Sequence, residues 1–138
     1  MLLSDAAQVD TSTGKVNALG IGWTRTSVPT GTMAVIVLVS FDDEEEAGGA
    51  HEVTVTLTDN NGKPVPMEET GLRQAAAIIE LNTDANPKWP ATAPLVIPVR
   101  PGLPLKPDHT YQWRVAIDGK TEDTWFTSFG TEPPAPPD

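Results

Sequence analysis

Five consecutive carboxylates, Asp42-Asp43-Glu44-Glu45-Glu46, are the densest cluster of chemically capable side chains in the chain. Calcium needs six to eight oxygens converging from alternating positions and turns. Contiguous acids followed by Ala47-Gly48-Gly49 splay outward instead, so a solvated loop is expected, with cation or basic-partner binding as the alternative. Asn82-Thr83-Asp84-Ala85-Asn86 imitates the start of an EF-hand loop. Pro87 stands where that loop needs glycine and Ala93 where it needs glutamate, so a plain loop is expected.

Acid–base groups are few. His51 and His109 are the two histidines, and neither has the His-x-His or His-x-x-x-His spacing of a metal site. Each precedes a strand, and both are expected at the surface. No serine sits in a Gly-x-Ser-x-Gly elbow, and Gly20-Ile21-Gly22-Trp23 lies inside a strand pattern rather than a phosphate loop. Those glycines suggest a bulge or a close backbone approach that leaves Trp23 room to pack. Acids are plentiful enough for a paired-carboxylate hydrolase, whose spatial pairing a sequence does not reveal. The expectation is no enzyme and no cofactor.

Binding candidates lie in the loops and the tail. Trp89, between Lys88 and Pro90, either caps the core or anchors an interface, since aromatic residues dominate binding hot spots. Trp125 and Phe126 are adjacent in a strand pattern, so one of them points away from the core. Pro133, Pro134, Pro136 and Pro137 give the C-terminus a polyproline II or disordered character. The candidate interface is therefore Asp42, Asp43, Glu44, Glu45 and Glu46, with Trp89 and these four prolines.

The elements that must position these residues read as strands. Fourteen prolines and eleven glycines leave few windows for three helical turns. Leu3 to Val9 and Lys15 to Thr26 flank a turn-rich linker. Thr32 to Phe41 is a near-continuous apolar run suited to a central strand covered on both faces. His51 to Asp59 alternates, with Val53, Val55 and Leu57 inward and Glu52, Thr54, Thr56 and Thr58 outward. Lys63 to Met67 carries Pro64 and Pro66 and belongs on an edge. Gln74 to Leu81 reads as a strand, with a helical turn near Glu68 to Leu72 as the alternative. Leu95 to Arg100 is bounded by Pro94 and Pro101. Tyr111 to Asp118 and Glu122 to Phe129 form a closing hairpin around a type I′ turn at Asp118-Gly119.

Length and charge set the outer bounds. The 138 residues suit one domain, spanning 1–130 with a tail at 131–138. No cysteine is present, which removes disulfides, thiolate metal sites and cysteine nucleophiles. Nine basic and nineteen acidic residues give a net charge of −10, which repels phosphate backbones and anionic lipid. The N-terminus lacks a basic n-region, and Met33 to Val39 is far below the roughly 20 residues of a membrane span. Neither nucleic acid nor membrane is an expected partner. A cytoplasmic or virion location is expected, without export by a signal peptide.

Leu105-x-Pro107-Asp108-x-x-Tyr111-x-Trp113-x-Val115 resembles the tyrosine-corner segment of immunoglobulin-like and fibronectin-type-III sandwiches. The resemblance implies an all-β, immunoglobulin-like antiparallel sandwich of about eight or nine strands with a proline-rich tail. Tyr111 would pin the corner and Leu105 would plug it, with Trp113 in the core. Independently of the resemblance, Trp23 and Trp125 are expected to be structural.

Asp5-Ala6-Ala7-Gln8-Val9 with Gly14-Lys15-Val16-Asn17-Ala18-Leu19-Gly20-Ile21-Gly22-Trp23 is similar to an uncharacterised family of small actinobacterial and actinophage proteins. That likeness implies one compact β-domain and no established activity. A rigid sandwich with long Pro- and Gly-rich loops, an acidic surface and no catalytic set leads to the expectation of a structural or protein-interaction module, for which the likeness suggests most concretely a capsid decoration or tail protein. Its partners would be capsid or tail subunits or a second copy. An intracellular partner-binding or inhibitory protein acting through its acidic surface is the alternative, and the carboxylate-pair hydrolase is a third reading.

Overall fold

The computed structural model of the protein describes residues 1–41, 49–66, 74–80, 91–134 and 136. Among them there is no helix. Ten strands follow in order: β1 (Leu2–Ser4), β2 (Ala6–Asp10), β3 (Lys15–Leu19), β4 (Arg25–Thr26), β5 (Met33–Phe41), β6 (Ala50–Asp59), β7 (Gln74–Glu80), β8 (Ala91–Val99), β9 (Thr110–Ile117) and β10 (Phe126–Thr131).

They form a three-stranded sheet ordered β1-β5-β8, a five-stranded sheet ordered β4-β10-β9-β6-β7, and the hairpin β2-β3. Period-two alternation turns Met33, Val35, Val37 and Val39 of β5 to one face. Val53, Val55 and Leu57 of β6 and Tyr111, Trp113 and Val115 of β9 line the facing side. All of these join one buried cluster with Leu3, Ile97, Val99 and Phe129, so the apolar faces of the two larger sheets meet. Trp113, 0% exposed, is the largest wholly buried side chain among the described residues. Fully burying an aliphatic or aromatic side chain contributes about 1.5–3 kcal/mol, which makes these alternating rows the main source of cohesion.

Several expectations need correction. Leu3 to Val9 is not one strand: the chain changes sheets at Asp5, between β1 and β2. Lys15 to Thr26 also divides, because Gly20 and Gly22 take φ values of +62° and +87°. The two glycines thus make a turn, not a bulge within a strand. Close approach does occur, since a Cβ on Gly20 would overlap the Asp5 carboxylate. The described residues hold ten strands rather than eight or nine, and β4 pairs parallel with β10, so the pairing is not wholly antiparallel. Thr58, expected outward, is buried and directs its hydroxyl to the Gln112 carbonyl.

β8 runs through Pro94 and Pro98 rather than starting after Pro94. It tolerates both because it is an edge strand whose outer side needs no donors. The Glu68 to Leu72 alternative lies outside the described residues. Within β7, Ile78 is exposed and Ile79 buried, as a strand requires.

The Asp118-Gly119 turn is as the sequence predicts. Both residues have positive φ, 51° and 79°, and Ile117 and Lys120 exchange backbone bonds of 2.8 and 2.9 Å. The strand that follows does not continue that register. β10 pairs Phe126 with Arg114, so residues 121–125 bulge out of the hairpin, held by Thr121 Oγ1 on the Val115 carbonyl at 2.8 Å. Glu122 to Trp125 is therefore turn rather than strand. At the other end β10 reaches Thr131, one residue into the segment read as tail.

Candidate functional site

The short reach of two strands opens a gap between the larger sheets. β1 covers β5 only from Ala34 to Ile36, and β10 covers β9 only from Thr110 to Arg114. Beyond those limits an open cleft of about 650 Å³ lies between the C-terminal half of β5 and the β9–β10 connection. Val37, Val39 and Val115 form its buried floor. Met1, Phe41, Ile117 and Trp125 are half-buried walls packed against the core. Leu38, 57% exposed, and Phe126, 37% exposed, stand at the mouth.

One wall is polar. His51, buried on β6, meets Asp118 through Nδ1···Oδ2 at 2.7 Å and stacks on Phe41 with ring centroids 4.6 Å apart. Asp118 also accepts from the Glu52 N–H at 2.9 Å. The His51 hydrogen bond, then the Glu52 N–H, hold the Asp118 carboxyl below the ordinary carboxylate range, with smaller help from the charges of His51 and Lys120. Asp118, Lys120 and Glu122 rim this side, so two carboxylates and one ammonium face the opening. The hydroxyls on the lining belong to Ser40 and Thr124. Ser40 alternates with Val39 and Phe41 and is exposed on the outer face, away from His51.

His51 thus corrects the expectation of two surface histidines. Its place on β6 opposite Ile79, two residues beyond the Val53–Ile117 pair, lets the ring reach the Asp118 carboxylate and buries it, whereas His109 is exposed as expected. Trp125 and Phe126 divide as expected, Trp125 packing against the core from the turn and Phe126 lying on the outer face of the sheet with Arg114, at the edge of the cleft. Arg114 lies 5.2 Å from the Phe126 ring and holds it in place from the sheet side.

Asp42, Asp43, Glu44, Glu45, Glu46, Trp89 and Pro137 lie outside the described residues, as does the 82–86 loop. Pro133, Pro134 and Pro136 are exposed. The chain before them is fastened, because Glu132 donates to the Thr26 carbonyl at 2.9 Å and accepts from Asp108 at 3.1 Å. Tyr111 stacks on Phe129 at 5.8 Å, and its hydroxyl accepts from the Lys106 N–H at 2.9 Å. Trp23 meets Phe129 edge-on at 5.9 Å. The indole N–H groups of Trp23 and Trp113 are buried with no acceptor among the described residues.

No group of three or more His, Asp or Glu side chains suited to a metal occurs among the described residues. No helix there is long and apolar enough to cross a membrane.

Residues 1–125 match a family of unknown function (DUF6941). The match spans nearly the whole chain. The protein belongs to this family. The matched range takes in both walls of the cleft, from Met1 to Trp125, and stops before Phe126. No curated protein and no solved structure matches the chain.

Proposed function

We propose that this member of the family is a non-enzymatic protein-interaction module that receives its partner in the cleft between β5 and the β9–β10 connection. One observation carries the reading: an apolar, aromatic-walled cleft opens where β1 and β10 both stop short, with Leu38 and Phe126 exposed at its mouth. Large apolar side chains grouped around a preformed concavity are the usual anchors of an interface. The rest of the frame supports presentation of such a surface. In the immunoglobulin-like reading, which the Tyr111 hydroxyl on Lys106 N–H favours, the corner pins the strand that forms the cleft floor. In its most concrete form the partner is a capsid or tail subunit of a phage particle, the role suggested by the likeness to small actinobacterial and phage proteins.

A photoreactive phenylalanine analogue at Phe126, compared with one at exposed Asn60, tests the reading in the native host. A defined protein cross-linked from 126, not from 60, and lost on Trp125→Ala is the expected result. Equal labelling from both positions would contradict it.

The His51–Asp118 pair beside Glu122 favours a second reading, acid–base hydrolysis at the same cleft. That reading predicts turnover of an ester or glycoside substrate that Asp118→Asn abolishes while the fold is retained. Turnover indifferent to this substitution removes it.

A further inference from the structure

We infer that the partner enters as an extended, basic segment that adds a strand to the open edge of β5 at residues 37–41. This deepens the interaction reading above and rests on it.

Backbone parity identifies the edge. Pro94 lies opposite Leu38, and Pro98 opposite Ala34. A pair containing proline cannot exchange both ladder bonds, so these are the non-hydrogen-bonded pairs of β5 and β8. The even-numbered residues of β5 therefore turn their N–H and C=O groups away from β8. At Ala34 and Ile36 they turn toward β1. At Leu38 and Ser40 they turn toward an edge with no strand beside it among the described residues.

The two edges of this sheet are treated differently by the sequence. The β8 edge carries Pro94 and Pro98, which remove donors and block further pairing. The β5 edge, Val37-Leu38-Val39-Ser40-Phe41, carries no proline and no charge, and it runs directly along the cleft. Unblunted edges beside a concavity are where strand addition occurs, main-chain bonds giving affinity and alternate side chains giving specificity. An added strand would turn one row of side chains into the cleft, onto Val37, Val39, Ile117 and Trp125, and so requires apolar residues at alternate positions.

Charge selects the rest. The opposite rim bears Asp118 and Glu122 against Lys120, on a chain of net charge −10. The intervening, outward-facing residues of the partner are accordingly basic, complementing the net charge of the chain rather than the rim itself, which also speeds encounter with an acidic protein. A second copy of this chain brings a further −10 and is the poorer occupant.

Amide NMR of the full chain, titrated with a short peptide of alternating lysine and valine, tests the inference. The expected result is saturable binding with the Leu38 and Ser40 amides most perturbed. Affinity should fall about tenfold or more, equivalent to about 1.4 kcal/mol, when alternate peptide amides are N-methylated. A glutamate–valine peptide should not bind. Equal affinity for the methylated peptide, or perturbation remote from residues 37–41, would overturn strand addition. Binding of the acidic peptide would overturn the charge assignment. No binding by any peptide, or a dimer of the protein alone dispersed by Leu38→Pro, would overturn the basic segment as occupant. The cross-link from position 126 is read separately, so a failure here with that cross-link intact counts against strand addition and not against the cleft.

Discussion

Single side chains show both what a sequence discloses and what it conceals. Tyr111 and Trp113 are legible because alternation within one strand places both inward, and both are buried. Tyr111→Phe removes the acceptor for the Lys106 N–H and should cost about 1 kcal/mol, read from urea midpoints. The His51–Asp118 bond is not legible in the same way, because its partners stand 67 residues apart and meet only through the β6–β9 pairing. Asp118 has a carboxyl held below its unfolded value of 3.8. Its stabilising effect is therefore complete above about pH 4 and lost as pH falls through the lower folded value. Asp10, bonded to Ser12, behaves alike. Acid unfolding followed by circular dichroism should show a shallower decline below pH 4 for Asp118→Asn than for the native chain.

At the scale of elements, alternation located most strands, while their ends depended on contacts between segments. Val53, Val55 and Leu57 in β6 read correctly because a half-buried strand must alternate. The division of Lys15 to Thr26 did not, since the turn at Gly20 packs against Asp5, from the junction between β1 and β2. Gly20→Ala should destabilise by about 1–2 kcal/mol, the cost of a side chain in the left-handed region, measured by thermal or urea unfolding. Proline also misled as a boundary marker: Pro94 and Pro98 sit within β8, where only an edge position makes them compatible. Pro98→Thr restores a donor to that edge. It should leave the monomer's unfolding midpoint nearly unchanged but raise concentration-dependent association in light scattering.

For the whole molecule, composition indicated an all-β domain, but the cleft has no counterpart in any sequence pattern. It arises where three-residue β1 and six-residue β10 fail to cover nine-residue β5 and eight-residue β9. Strand lengths in different sheets are set by tertiary pairing, and no local window carries them. Phe126 gave the nearest signal, as one of two adjacent aromatics that cannot both face inward. We propose that this uncovered ground is where a partner docks. Hydrogen exchange of the protein, alone and with the partner cross-linked through position 126, tests this most directly. Protection gained at Leu38, Ser40 and residues 115–118 is the predicted result. Protection confined to the β2–β3 hairpin or the outer edge of β8, with the cleft amides unchanged, would contradict it.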